Sequence, residues 1–98
     1  MIQIKQTRVF RKWISGLKDK RAKAKILIRL TRAQNGNLGD VKSVGSGLME
    51  MRISEGKGYR AYFIQIEDQL ILFLCGGDKS SQKKDIEKAK KMADEIRK

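Results

Sequence analysis

The sequence predicts an α+β domain in the order β-α-α-β-β-β-α. Two N-terminal helices pack on a small, mainly antiparallel sheet, and a C-terminal helix follows it. Three observations carry this expectation. Apolar residues recur at helical spacing in three separate segments, Phe10–Leu17, Ile26–Ala33 and Ile86–Ile96. They alternate or run continuously over Leu48–Ser54, Tyr59–Ile66 and Leu70–Cys75, as in half-buried or fully buried strands. The links between those last three segments are short, so consecutive strands pair as antiparallel hairpins. A chain of 98 residues is one domain, residues 1–98, large enough for a core without disulfide or metal staples.

Met1–Lys5, with Ile2 and Ile4 in alternation, reads as a short first strand. Thr7 is positioned to cap a helix whose stripe is Phe10, Trp13, Ile14 and Leu17, ending near Lys18. A second helix over Lys20–Gln34 is expected to bury Ile26, Leu27, Leu30 and Ala33 and to turn lysines and arginines outward. Asn35-Gly36-Asn37 and Gly39-Asp40 stop that helix and open a loop running through Gly45-Ser46-Gly47. The three central strands are linked by Glu55-Gly56-Lys57-Gly58 and by Glu67-Asp68-Gln69. Ser80 or Ser81 then caps the last helix, with stripe Ile86, Ala89, Ala93 and Ile96.

The charge is large and uneven. Lys plus Arg is 23 against 11 acidic residues, a formal net charge of +12. Residues 1–34 hold eleven basic side chains against Asp19 alone, residues 35–78 four against six acidic ones, and residues 79–98 eight against four. A basic domain clustered in this way meets a polyanion, most often nucleic acid; an acidic partner protein would satisfy the same field, and a solvated helical surface is the plain alternative. The longest apolar run, Leu70–Cys75, is six residues, far short of the roughly 20 that cross a bilayer. No secretory signal is visible, and a single cysteine, Cys75, fits a reducing cytoplasm. There is no histidine, which removes Ser–His–Asp and Cys–His hydrolases, His-paired ribonucleases and His-ligated zinc together. No metal or cofactor is implied.

Several motif-like strings dissolve on inspection. Gly76-Gly77-Asp78-Lys79-Ser80 looks like the end of a phosphate loop, but a Walker motif needs Gly directly before Lys and another Gly five residues earlier. Glu55 and Lys57, with Asp40 upstream, would suit a metal-dependent nuclease, yet they lie in a Gly-rich turn that simply closes a hairpin. Cys75 ends an apolar strand and reads as a small buried hydrophobe. Trp13 reads as core, and the lysines of the last helix as a solvated face.

The central strands are more informative. Period two places Leu48, Glu50, Arg52 and Ser54 on one face and Met49, Met51 and Ile53 on the other. The next strand puts Arg60 and Tyr62 on one face. An arginine inside each of two paired strands has two readings: strand residues salt-bridged on the sheet, Arg52 with Glu50 for instance, or guanidinium groups on rigid strands that clamp a phosphate. Lys79, just past the third strand, joins the same rim in the second reading.

The strings Glu50-Met51-Arg52-Ile53, Gly58-Tyr59-Arg60-Ala61-Tyr62-Phe63 and Leu72 through Ala89, the last containing Gly76-Gly77-Asp78-Lys79-Ser80, resemble the RelE/ParE toxin superfamily. Within it they are similar to the short addiction-module killer proteins near the HigB-type toxins, and the first strand and Phe10-Arg11-Lys12-Trp13 fit that branch too. The resemblance implies a type II toxin held inactive by a cognate antitoxin, a helix-turn-helix protein with an acidic segment. Many such toxins cleave messenger RNA on the ribosome without a metal, driving a ribose 2′-hydroxyl onto the adjacent phosphate. Arg52, Arg60 and Lys79 match positions those ribonucleases use on that phosphate. Glu50 and Tyr62 are expected beside them as substrate contacts, and Lys23 and Arg29 in the salt-sensitive grip of the helices on RNA. Three departures stand out, the first being that the chain has none of the histidines that some HigB-like members use. The chain has Glu50 where studied members carry a second strand lysine, and Ile86 where they place a catalytic tyrosine. The phosphate-binding half of the site therefore carries over and the general base does not; Lys79, Glu50 and Tyr62 remain candidates for it. The same superfamily holds DNA gyrase poisons that are not nucleases, and an inactive binding module is a third alternative.

Overall fold

A computed structural model of residues 1–98 has a five-stranded sheet with helices on both faces. The strands are β1 (Gln3–Gln6), β2 (Val41–Ser43), β3 (Leu48–Ile53), β4 (Tyr59–Glu67) and β5 (Leu70–Gly77). The helices are α1 (Arg8–Ser15), α2 (Lys20–Gln34) and α3 (Gln82–Arg97), with one 3-10 turn at Lys79–Ser81. No helix is long and apolar enough to cross a membrane.

The spatial order β1-β5-β4-β3-β2 makes the sheet mixed. Three pairings are antiparallel, and β1 lies parallel to β5. One feature departs from the sequence expectation and a second adds to it. The loop before β3 contains β2, an edge strand too short to show a period, paired Val41 to Met51 and Ser43 to Met49. The helices also divide between the faces. α1 and α2 cover one core, built on Phe10, Ile26, Met51, Ala61, Phe63 and Phe73. α3 covers a second, built on Leu48, Tyr62, Ile64, Leu74, Ala89 and Ala93. Alanine at 89 and 93 lets α3 approach the sheet closely.

Local chemistry sets the helix starts. The Thr7 hydroxyl accepts from the Phe10 amide at 3.0 Å and donates to the Leu74 carbonyl at 2.6 Å, so one side chain caps α1 and ties it to β5. Asp19 caps α2 by accepting from the Ala22 amide at 3.0 Å. Each cap is worth about 1 kcal/mol. Leu27, expected inside, is 44% exposed, because α2 rests on the sheet through Ala22, Ile26, Leu30 and Ala33. Ile96 is likewise exposed at the far end of α3. α1 stops at Ser15, three residues before the expected end.

A β-bulge in β5 decides where the following segment points. Tyr62 pairs with Cys75 but Phe63 with Phe73, which leaves Leu74 as an extra residue. Leu74 and Cys75 therefore both face α3, and Gly76 and Gly77 fall on opposite faces. A side chain at 76 would enter the Trp13 indole, and one at 77 would meet Asp85 and Ser81. The Gly-Gly pair is there for close packing, and Asp78 caps the next turn by accepting from the Ser80 amide at 2.8 Å.

Cys75 is buried, and burial pushes its thiol up to about 11. Native Cys75 should thus be alkylated about 10²-fold more slowly than unfolded chain at pH 8, since thiolate is the reactive form. The unfolded thiol ionises first, near pH 8.5, so this contribution to stability is complete below that pH and is lost as pH rises towards 11. Denaturation curves of the wild type and Cys75→Ala should converge by about 2–3 kcal/mol across that interval. Parallel curves, or native alkylation at the unfolded rate, would contradict the burial.

Candidate functional site

Residues 54–58 turn β3 into β4. Gly56 and Gly58 take left-handed backbone there, at φ 52° and 74°, and the Gly58 amide donates to the Glu55 carbonyl at 3.0 Å. Glu55 points back to α2, 2.9 Å from Lys25 and 3.6 Å from Arg21. That pairing, Lys25 above all, holds its carboxyl below the usual range. Glu55 is a hairpin anchor.

The turn sets the register that matters: Arg52 lies directly opposite Arg60. Like charges facing each other across a strand pair are destabilising, so something must offset them. Each arginine has its own carboxylate. Asp40 Oδ1 accepts from Arg52 Nη2 at 3.0 Å and from Nε at 3.3 Å. Glu50 Oε2 lies 3.6 Å from Arg60 Nε. The expected Arg52–Glu50 pair is therefore replaced by a loop carboxylate on Arg52 and a diagonal cross-strand one on Arg60.

The two arginines differ in burial. The Arg52 side chain is 42% exposed and that of Arg60 only 13%. Arg60 Nη1 donates to the Gly58 carbonyl at 2.8 Å. Lys79 starts the turn after β5 and packs on Gly58, its amide donating to the Lys57 carbonyl at 3.3 Å. The result is one open cleft of about 400 Å3 at the end of the sheet, lined by Arg52, Arg60 and Lys79 together with Asp40, Ser54 and Gly58. The structure thus brings together the three residues first singled out.

It does not bring the others to the cleft. Glu50 is fully buried under α3, where Oε2 also accepts from Tyr62 Oη at 3.2 Å and Gln82 Nε2 at 2.8 Å. Glu50 Oε1 and Arg60 Nε are buried with no hydrogen-bond partner. Tyr62 is fully buried as well. Burial first, then the neighbouring Glu50, pushes its phenol far above the ordinary range, which keeps it a neutral donor. Neither residue lines the cleft, so both are corrected from substrate contacts to supports of Arg60. Arg29 is also committed elsewhere. Its Nη1 donates to the Arg52 carbonyl at 2.6 Å and its Nη2 to the Leu38 and Asp40 carbonyls at 3.1 and 3.2 Å, fixing the loop that carries Asp40. Lys23 sits half-buried on α2, away from the cleft. Sequence reading missed the parts played by Asp40 and Gln82; neither lies in the strand period, and only the folded loop and helix start bring them in.

The family model described as phage derived protein Gp49-like (DUF891) matches residues 12–98. A protein of Haemophilus influenzae, described as uncharacterised, is 55% identical over 95 residues, covering 97% of this chain and 96% of that protein. The solution structure of the conserved hypothetical protein HP0894 from Helicobacter pylori superposes with a TM-score of 0.50 at 13% identity, covering 82% of this chain and 97% of that one. At that identity the likeness is one of fold.

Proposed function

The chain belongs to the Gp49-like family of phage-derived proteins, and from that premise we propose that it is the toxin of a type II toxin–antitoxin pair, a metal-independent endoribonuclease of the HigB-like kind that cuts messenger RNA on the ribosome. The observation that carries the reading is the directly opposed Arg52 and Arg60, with Lys79, at one cleft. Two guanidiniums held face to face on rigid strands, each with N–H donors beyond those turned to its own carboxylate, can together hold the non-bridging oxygens of a phosphate.

In this reading the 2′-hydroxyl gives its proton to solvent water as its oxygen bonds to phosphorus, and the bond from phosphorus to the 5′-oxygen breaks. The products are a 2′,3′-cyclic phosphate and a 5′-hydroxyl. Arg60, half-sheltered and fixed through Gly58 and Glu50, stabilises charge developing on the phosphoryl oxygens, and Arg52 holds the same group from the exposed side. Lys79, exposed at the rim on a flexible stem, delivers the proton to the departing 5′-oxygen. Neutral Tyr62 and buried Glu50 take no proton from the 2′-hydroxyl. The antitoxin, with an acidic segment, covers this basic surface.

Pulse labelling after induced expression tests the assignment. Amino-acid incorporation should stop first, with messenger RNA shortened. Thymidine incorporation falling first, with messenger RNA intact, would replace the reading by gyrase poisoning.

A further inference from the structure

The arginine cleft does not end at Arg52. A second cavity of about 350 Å3 lies between α2 and the end of β3, lined by Lys25, Ile28, Arg29 and Arg32 and sharing Asp40 and Arg52 with the first; Arg29, named from the sequence as a grip on RNA, thus lines this cavity and not the cleft. The two are one groove with the Arg52–Asp40 pair at its waist. At the other end Lys79 is shared with a shallower depression that adds Lys57. Cations thus line the whole path, from the last turn of α2 past the strand arginines to the rim after β5.

The α2 end has the features of a binding site of its own. Arg32 makes no ion pair and no side-chain hydrogen bond, although a carboxylate, Asp40, lines the same cavity. Lys25 reaches the cavity from two turns of helix away, held in place by Glu55. Ile28 stands between the two on the helix, 49% exposed, in a surface otherwise dense with charge. An exposed apolar side chain between two cations suits a ligand with alternating anionic and flat apolar parts. Single-stranded nucleic acid is that ligand, because only an unpaired strand can lay a base against Ile28 while its phosphates follow the cations.

We propose that the cavity of Arg32, Lys25 and Ile28 is a second RNA subsite. It takes a phosphate and an unstacked base of the single strand flanking the one held by Arg52 and Arg60. The inference rests on the ribonuclease reading and extends it along α2.

Uncleavable 2′-O-methyl oligoribonucleotides of about 3 and about 12 nucleotides test it, with dissociation constants measured across a salt series. Arg32→Gln should weaken the long oligomer and flatten its dependence of log K on log salt by about 0.7, the contribution of one single-strand phosphate contact. It should leave the short oligomer, which fits the arginine cleft alone, unchanged. Arg60→Lys should weaken both lengths. Equal effects of Arg32→Gln at both lengths, or none at either, would overturn the subsite while leaving the cleft in place. Binding insensitive to Arg60→Lys but sensitive to Arg32→Gln would overturn the ribonuclease reading instead.

Discussion

Arg60→Lys is expected to lower RNA cleavage by about 10²–10³ while the protein remains folded. Lysine keeps the positive charge facing Glu50, so the buried carboxylate retains its counter-charge. It cannot donate to the Gly58 carbonyl and present a planar fork to a phosphate at the same time. The loss should appear in kcat together with weaker substrate binding, since the lost fork both holds the phosphate and stabilises charge that develops in the transition state. Arg60→Ala is a poorer probe. Read from sequence, that change removes a clamp and no core volume; in the structure it also strips the cation from a fully buried carboxylate. Cleavage within about threefold of wild type by Arg60→Lys would leave the arginine pair without a catalytic role.

Glu50→Ala is expected to cost about 3 kcal/mol of stability, the lower end for breaking a buried ion pair. The lower end applies because Arg60 Nε stands 3.6 Å away and donates no hydrogen bond to the carboxylate. The substitution leaves a guanidinium that is 13% exposed without its counter-charge, and removes the acceptor of Tyr62 and Gln82. Denaturant titration measures the change. Glu50→Gln, which can still bond both neighbours, should lose less. A Glu50→Ala protein as stable as wild type would mean that the network under α3 does not hold Arg60.

Much of this arrangement was legible in the chain. Thr7 caps α1 as its position implied, α2 spans Lys20–Gln34, and alternation placed Glu50 with Arg52 on one strand and Arg60 with Tyr62 on the next. Those features are local, set by side chains a few residues apart. What could not be read depends on contacts distant in sequence. Glu50 stands two residues from Arg52 on the same face, so sequence pairs them; the fold brings Asp40 to Arg52 from a loop held by Arg29, and leaves Glu50 to Arg60. β1 finds a parallel partner 67 residues away, a pairing with no signal in a four-residue strand. The bulge at Leu74 turns two consecutive residues to one face, which no strict period of two anticipates. Tyr62 shares its face with the arginines yet lies under α3, because a face of the sheet is part cleft and part core.

The chemistry at the cut ends tests the central claim most directly. Messenger RNA recovered from ribosomes translating in the presence of purified protein should carry new 2′,3′-cyclic phosphate and 5′-hydroxyl ends, lost with Arg60→Lys. Ends bearing 3′-hydroxyl and 5′-phosphate, or no new ends while growth is still inhibited, would contradict a phosphate clamped between Arg52 and Arg60 for attack by its own ribose.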